Sequence, residues 1–83
     1  MTDSTLLNEE IVDSGITITA IARKLGITRE GLYKKINNET EFKASEILSM
    51  QKILNLTNKK RDSIFFANKV EQNSTKQNDL TNL

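Results

Sequence analysis

The segment from Thr17 to Asn37, TITAIARKLGITREGLYKKIN, limits the possible fold more than any other part of the chain. In its first half, apolar residues recur at the spacing of one helix face, namely Ile18, Ile21, Ala22 and Leu25. Gly26 interrupts this pattern, and Thr28 is a residue type that often caps the start of a helix. A second helical pattern follows, with Leu32 and Ile36 on its inner face. The segment therefore predicts two short helices joined by a tight turn.

A small residue and a glycine stand where such a turn needs them. Ala22 suits a place where two helices approach closely, and Gly26 suits a turn position with positive φ. Two short helices with a glycine in the turn are typical of the helix-turn-helix motif, which we place at about residues 17–37. The second helix then points one polar face away from the core, formed by Arg29, Glu30, Tyr33, Lys34 and Asn37. This face is the candidate binding surface.

The rest of the chain adds three further helical patterns. We predict an all-α fold with five helices at about residues 5–14, 18–25, 29–37, 44–54 and 58–68. The predicted N-caps are Ser4 or Thr5 for the first helix, Thr17 for the second and Thr57 for the fifth, and Asn55 is the predicted C-cap of the fourth. Residues 1–69 form the predicted domain, with frayed residues 1–4. Residues 70–83 are rich in Asn, Gln and Thr and are predicted to be a disordered tail.

Two local features conflict with helix formation. Gly31 lies inside the third helix, where glycine costs about 1 kcal/mol relative to alanine. We favour the explanation that the missing side chain lets the second helix or a ligand come close, and the alternative is that the site tolerates the cost. The fifth helix begins with three cations, Lys59 to Arg61, where the helix dipole disfavours positive charge. Phosphate contact and a tolerated small cost are both open explanations.

Composition excludes several classes of chemistry for this chain of 83 residues. The sequence has no Cys and no His, which excludes disulfides, thiol chemistry and zinc sites built from these ligands. The acidic residues are scattered and accompany no glycine-rich phosphate loop, so we expect no enzyme, no small-molecule substrate, no metal and no cofactor. No apolar run approaches the length of about 20 residues that a transmembrane helix needs. We therefore expect a cytoplasmic protein without a membrane anchor.

Charge is distributed unevenly along the chain although the net charge is only +1. Residues 1–17 carry four acidic and no basic side chains, whereas residues 18–37 carry five basic side chains and one acidic. A basic helix pair beside an acidic helix can face phosphate groups. The alternative is that these charges only solvate helix surfaces.

Residues 5–66 resemble the phage repressor and Cro-like helix-turn-helix family. The resemblance is carried by Ile21, Ala22, Leu25, Gly26, Ile27, Leu32 and Ile36, and by LNLT at residues 54–57, where the family usually has Leu-Gly-Val-Ser. It implies a lambda repressor-like domain whose third helix lies in the DNA major groove. By position, the residues that contact DNA or a partner would be Thr28, Arg29, Glu30, Tyr33, Lys34 and Asn37. The implied phosphate contacts are Arg23, Lys24 and Lys35.

The chain most resembles the modulators of repression, the antirepressors of temperate lactococcal-type phages. This resemblance implies a regulator of the lysis–lysogeny switch that binds the DNA-binding domain of the lysogenic repressor and blocks operator binding. The alternative function is that of a Cro-like repressor, which binds operator DNA as a homodimer. One departure from the family pattern weakens the expectation of DNA binding. Thr17-Ile18 stands where the family often has Thr-Gln with a phosphate-binding glutamine.

Overall fold

The computed structural model describes residues 1–67, and all regular secondary structure in this part of the chain is α-helical. Helix α1 covers Ser4–Ser14, α2 covers Ile18–Leu25, α3 covers Arg29–Ile36, α4 covers Ala44–Leu54 and α5 covers Asn58–Phe65. The predicted all-α fold of five helices is confirmed. The predicted tail at residues 70–83 lies outside the described residues. None of the helices within residues 1–67 has the length and apolar character that crossing a membrane requires.

Threonine side chains begin three of the helices, as predicted. The hydroxyl oxygens of Thr17, Thr28 and Thr57 accept hydrogen bonds of 3.1, 2.9 and 3.0 Å from the backbone N–H three residues further along. Each bond satisfies a backbone donor that the first turn of a helix leaves without a partner inside the helix. These caps set where α2, α3 and α5 start.

The predicted cap of α1 is wrong, because Asp3 takes this position instead of Ser4 or Thr5. The Asp3 backbone is extended and its carboxylate accepts a hydrogen bond of 3.0 Å from the N–H of Leu6. Ser4 is already helical, and its hydroxyl donates to the carbonyl of Ile36 at the end of α3. A carboxylate is also the better group at a helix N-terminus, where the helix dipole attracts negative charge.

The prediction that the N-terminal residues are frayed is wrong. These residues are hydrogen-bonded to the end of α3 and to α5. The N–H of Thr2 donates to the Asn38 side-chain oxygen at 2.9 Å, and the Asn38 amide donates back to the Thr2 carbonyl at 2.8 Å. The N–H of Asp3 donates to the carbonyl of Ile64 at 2.7 Å. These long-range bonds, which no local pattern reveals, fix the first residues against the end of α3.

Two helices end earlier than predicted. Helix α3 ends at Ile36 with Asn37 as its C-cap, and α5 ends at Phe65 instead of residue 68. The predicted C-cap of α4 is correct, since Asn55 adopts a left-handed conformation with φ of 55°. Gly26 closes α2 with φ of 74°, in the region where a residue with a Cβ is strained. The tight turn between α2 and α3 therefore has the geometry that its glycine predicts.

All five helices contribute side chains to one hydrophobic core. The side chains that are fully buried there are Leu7, Ile21, Leu32, Ile36, Met50 and Ile64. Phe42, in the connection before α4, meets Phe65 edge to face with ring centroids 5.1 Å apart. Leu48 of α4 is apolar, but 55% of it is exposed. The cause is that no element within residues 1–67 covers this side of α4.

Two of the three cations at the start of α5 contact other helices of the described chain. Lys60 lies 3.4 Å from the Glu10 carboxylate of α1. Arg61 donates to the Gln51 side chain of α4 at 3.0 Å and pairs with Asp62 at 2.9 Å. These contacts offset the unfavourable position of the two cations relative to the helix dipole. They leave Lys59 as the cation of this turn that takes part in no ion pair within residues 1–67.

Candidate nucleic-acid interface

The packing of α2 against α3 decides which face of α3 is exposed. Ile21 and Ala22 of α2 are buried in the same cluster as Leu32 and Ile36 of α3. Ile27, in the turn, is half-buried, and its N–H donates to the Ala22 carbonyl at 3.0 Å. Because the apolar side of α3 is held inward in this way, the opposite side of the helix faces solvent.

Four of the six residues predicted to bind DNA or a partner line one shallow, open depression on α3. They are Arg29, Glu30, Tyr33 and Lys34, and each of them is exposed. The depression has a volume of about 510 Å³, and Glu39 completes its lining. A patch of this shape suits a convex surface better than a small molecule, which binding sites usually enclose on most sides.

The other two predicted residues lie outside this lining. Thr28 is exposed, but its hydroxyl oxygen is the N-cap of α3 and accepts from the N–H of Gly31. Its methyl group is the part that remains for an apolar contact. Asn37 is exposed at the C-cap of α3, one turn beyond Tyr33, whose carbonyl accepts from the Asn37 N–H at 2.9 Å.

The charged groups of the depression are not paired with one another. Within residues 1–67, no ion pair involves Arg29, Glu30, Lys34 or Glu39. The two cations and two carboxylates therefore remain available to an incoming partner. Their opposite signs make the depression formally neutral, in contrast to the surplus of basic residues in the segment as a whole.

The residues predicted to contact phosphate fall into two groups. Arg23 and Lys24 are exposed in the last turn of α2, and neither takes part in an ion pair within the described chain. Lys35 points to the opposite side of α3, where its ammonium lies 3.1 Å from the Glu46 carboxylate and donates to the Glu41 carbonyl at 3.0 Å. Since only 13% of the Lys35 side chain is exposed, we leave it out of the proposed phosphate contacts.

Glu46 stays ionised in this pair although it is buried. Burial, the largest effect, raises the pKa of its carboxyl, whereas the hydrogen bond from the Lys43 N–H and the nearby Lys35 ammonium lower it. The lowering effects prevail, and the pKa of Glu46 lies below its ordinary value of 4.5. The pair links the end of α3 to the start of α4, so Lys35 holds the helix in place.

The absence of a side chain at Gly31 is explained by the Thr28 cap at the start of α3. A Cβ added at Gly31 would lie 3.1 Å from the Thr28 hydroxyl oxygen, and it would meet no atom of α2 within 4 Å. The predicted close approach of α2 at this position is therefore wrong. The alternative of a ligand near Gly31 stays a prediction.

Sequence reasoning missed Glu39 as a member of the depression. The N–H of Glu39 donates to the Lys34 carbonyl at 2.8 Å, and the N–H of Asn38 donates to the Lys35 carbonyl at 3.2 Å. With Asn38 at φ of 65°, this is the Schellman closure of a helix C-terminus. It turns the chain back along α3 and brings Glu39 beside Lys34. The signal in the sequence is Asn37-Asn38, since asparagine tolerates the left-handed conformation that the closure needs.

Residues 10–39 match the family model for the helix-turn-helix domain of resolvase. The chain contains a helix-turn-helix domain. The matched residues include α2, α3 and Glu39, so they contain the whole depression, and they are similar to helix-turn-helix DNA-binding domains in general. The searches of curated proteins and of solved structures found no significant match.

Proposed function

We propose that this protein is a transcriptional regulator that binds duplex DNA through the exposed face of α3. The observation that carries the proposal is that Arg29, Glu30, Tyr33 and Lys34 line one outward-facing depression within the helix-turn-helix match. In this class of motif the second helix enters the major groove, and residues near its N-terminus contact base edges. The exposed side chains of α3 have the length and the polar groups that such contacts require.

Each side chain has a role that its chemistry supports. Arg29, in the first turn of α3, suits a bidentate contact to guanine, and Glu30 suits the amino group of cytosine. The methyl group of Thr28 suits a thymine methyl, because its hydroxyl is used as the cap. Arg23 and Lys24 suit phosphates, which orient the protein on DNA without reading its sequence.

The proposal is tested by measuring whether Arg29→Ala keeps the base preference of the wild type at each position of its preferred duplex. The wild-type chain selects its preferred duplex from a random library, and fluorescence anisotropy then compares that duplex with single-base variants. Loss of a bidentate contact should relax the preference at one position by about 1–3 kcal/mol. Lys52→Ala is the matched control, since Lys52 is an exposed cation on α4 outside this depression. If Arg29→Ala keeps the wild-type preference at every position, α3 does not read bases through Arg29.

A finer proposal is that the same face binds the DNA-binding domain of a phage lysogenic repressor, so that the protein acts as an antirepressor. It is supported by the mixture of charges in the depression and by Tyr33, of which 43% is exposed. Tyrosine and arginine are enriched at the energetic centres of protein interfaces, and complementary charges orient the partners. This mechanism also agrees with the resemblance to phage antirepressors described above.

The antirepressor mechanism is tested with a purified lysogenic repressor of a temperate phage and a labelled fragment that carries its operator. An antirepressor abolishes the anisotropy signal of the bound repressor while binding the fragment weakly by itself. Tyr33→Ala should weaken this effect at least tenfold, whereas Val12→Ala, an exposed apolar residue on α1, should leave it unchanged. If the two variants behave alike, the repressor does not use this face.

The alternative proposal, a Cro-like homodimer on operator DNA, is supported by an apolar patch away from α3. Leu48 and Phe66 are 55% and 58% exposed and share a depression of about 230 Å³ with Ala44, Ile47 and Arg61. A symmetric pair would present two α3 helices to half-sites about 34 Å apart. In analytical ultracentrifugation with operator DNA, Phe66→Ser should change a complex of two chains into one of a single chain. Val12→Ser is the control, and an unchanged stoichiometry in Phe66→Ser would exclude this patch.

A further inference from the structure

We propose that Glu39 weakens sequence-independent DNA binding by placing a negative charge in the exposed depression on α3. The inference rests on the proposed function, because it assumes that the depression formed by Arg29, Glu30, Tyr33, Lys34 and Glu39 faces DNA. Glu39 lies outside α3, and its negative charge does not suit a phosphate contact.

The position of Glu39 is set by backbone bonds. Its N–H donates to the Lys34 carbonyl, and the preceding Asn38 is held in its left-handed conformation by two hydrogen bonds to Thr2. A residue anchored in this way cannot move off the face without breaking the closure of α3. The backbone of Glu39 therefore stays beside Lys34, and Glu39 remains part of the lining of the depression.

The electrostatic consequence follows from the other charges in the depression. Glu39 is exposed and takes part in no ion pair within residues 1–67, so its carboxylate is not held in a direct salt bridge. A phosphate that approaches Lys34, which lines the same depression, comes within the range of about 8 Å over which this charge acts at physiological salt. Non-specific DNA binding depends almost entirely on attraction between cations and phosphates. A carboxylate here consequently reduces the part of the affinity that is independent of sequence.

This role differs from base reading in a way that can be measured. A repulsion between Glu39 and phosphates is the same for every sequence, so its removal raises the affinity for all duplexes by a common factor. A carboxylate that accepts a hydrogen bond from cytosine instead favours one sequence, and its removal changes the ratio between duplexes. The ratio therefore separates the two roles.

The experiment measures the binding of full-length wild type, Glu39→Gln and Glu41→Gln to a mixed-sequence 20-base-pair duplex and to the duplex that the wild type selects. Glu41 is the matched control, because it is an exposed glutamate two residues away that lines a different depression beside Met1 and Phe42. We expect Glu39→Gln to bind both duplexes about 3- to 10-fold more tightly at low salt, with a smaller gain at high salt. Glu41→Gln should change either affinity less than twofold. Circular dichroism confirms that both variants are folded.

Two results would overturn the inference while the proposed function stands. One is an equal effect of Glu39→Gln and Glu41→Gln, which would mean that only net charge matters. The other is a gain for one duplex alone, which would make Glu39 a base-reading residue. A wild-type chain that binds neither duplex would refute the proposed function and this inference together.

Discussion

Replacing Glu46 with glutamine tests how much the buried pair between α3 and α4 stabilises the fold. The Glu46 carboxylate accepts from the Lys43 N–H at 2.8 Å and from the Lys35 ammonium at 3.1 Å. Glutamine can still accept both bonds through its carbonyl oxygen, but without charge. A hydrogen bond to a charged group contributes about 1.5–3 kcal/mol and a neutral one about 0.5–1.5 kcal/mol. Only the bond from the Lys43 N–H becomes neutral, because the Lys35 ammonium keeps its own charge and loses its counter-charge. The weaker bond and the lost ion pair together lower the free energy of unfolding by about 2 kcal/mol.

Glu10→Gln is the matched control for this substitution. It removes the same charge from the pair with Lys60, whose atoms are 3.4 Å apart and whose side chains are 44% and 23% exposed for Lys60 and Glu10. The corresponding exposures for Lys35 and Glu46 are 13% and 11%. Because water screens the Glu10 pair, we expect this control to cost about 0.5 kcal/mol or less.

Thermal unfolding followed by circular dichroism at pH 7 measures the difference. A loss of about 2 kcal/mol in a domain of this size lowers Tm by roughly 8–16 °C. If Glu46→Gln lowers Tm no more than Glu10→Gln does, the buried pair between Lys35 and Glu46 stabilises the fold no more than an exposed pair. Burial then does not strengthen this ion pair.

The same variant gives a pH dependence of known sign. The pKa of Glu46 is lower in the folded protein than its ordinary value of 4.5, so its ionisation stabilises the fold above about pH 4.5. This contribution disappears as the pH falls from about 4.5 through the lowered pKa of the folded protein. The wild type should lose more stability than Glu46→Gln between pH 6 and pH 3 in urea unfolding. Parallel pH profiles for the two proteins would show that Glu46 is not the group responsible.

Three further substitutions test the elements that hold α3 in place. Gly26→Ala should cost about 1 kcal/mol in urea unfolding through backbone strain alone, since φ is 74° and no atom lies within 4 Å of the added Cβ, and an unchanged midpoint would contradict this. Leu32→Ala removes a fully buried side chain and should cost about 2–5 kcal/mol, so native helicity retained at the wild-type Tm would argue against its central place in the core. Asn38→Gly keeps positive φ but loses both hydrogen bonds to Thr2, so hydrogen exchange should accelerate at the N-terminus; unchanged protection there would mean that these bonds do not hold it.

The helix-turn-helix segment was predictable because its signals are local. Thr17 and Thr28 cap the backbone three residues further along, and Gly26 supplies the left-handed turn whatever surrounds it. Helical spacing also places Arg29 and Tyr33 on one face, since residues four apart lie above one another. The start of α1 was predicted less well, because Asp3, Ser4 and Thr5 are all acceptable caps in isolation.

The partner or surface that each charged side chain faces could not be predicted from local signals. Lys35 and Lys34 are neighbours of the same type, yet Lys34 faces the depression while Lys35 is paired with Glu46, eleven residues away on another helix. Likewise, Glu39 joins the face only because the closure of α3 folds the chain back. A sequence pattern reports which residues share a helix face, but it does not report which partner another element brings to it.

The positions of the helices and of their apolar faces follow from local sequence, because capping, glycine turns and helical periodicity act within a few residues. Only the packed fold brings Lys35 to the junction of α3 and α4, holds the N-terminus through Thr2 and Asn38, and adds Glu39 to the depression on α3. The physical reason is that burial and ion pairing depend on distances between elements far apart in the chain. These distances exist only once α1 to α5 have packed around their common core.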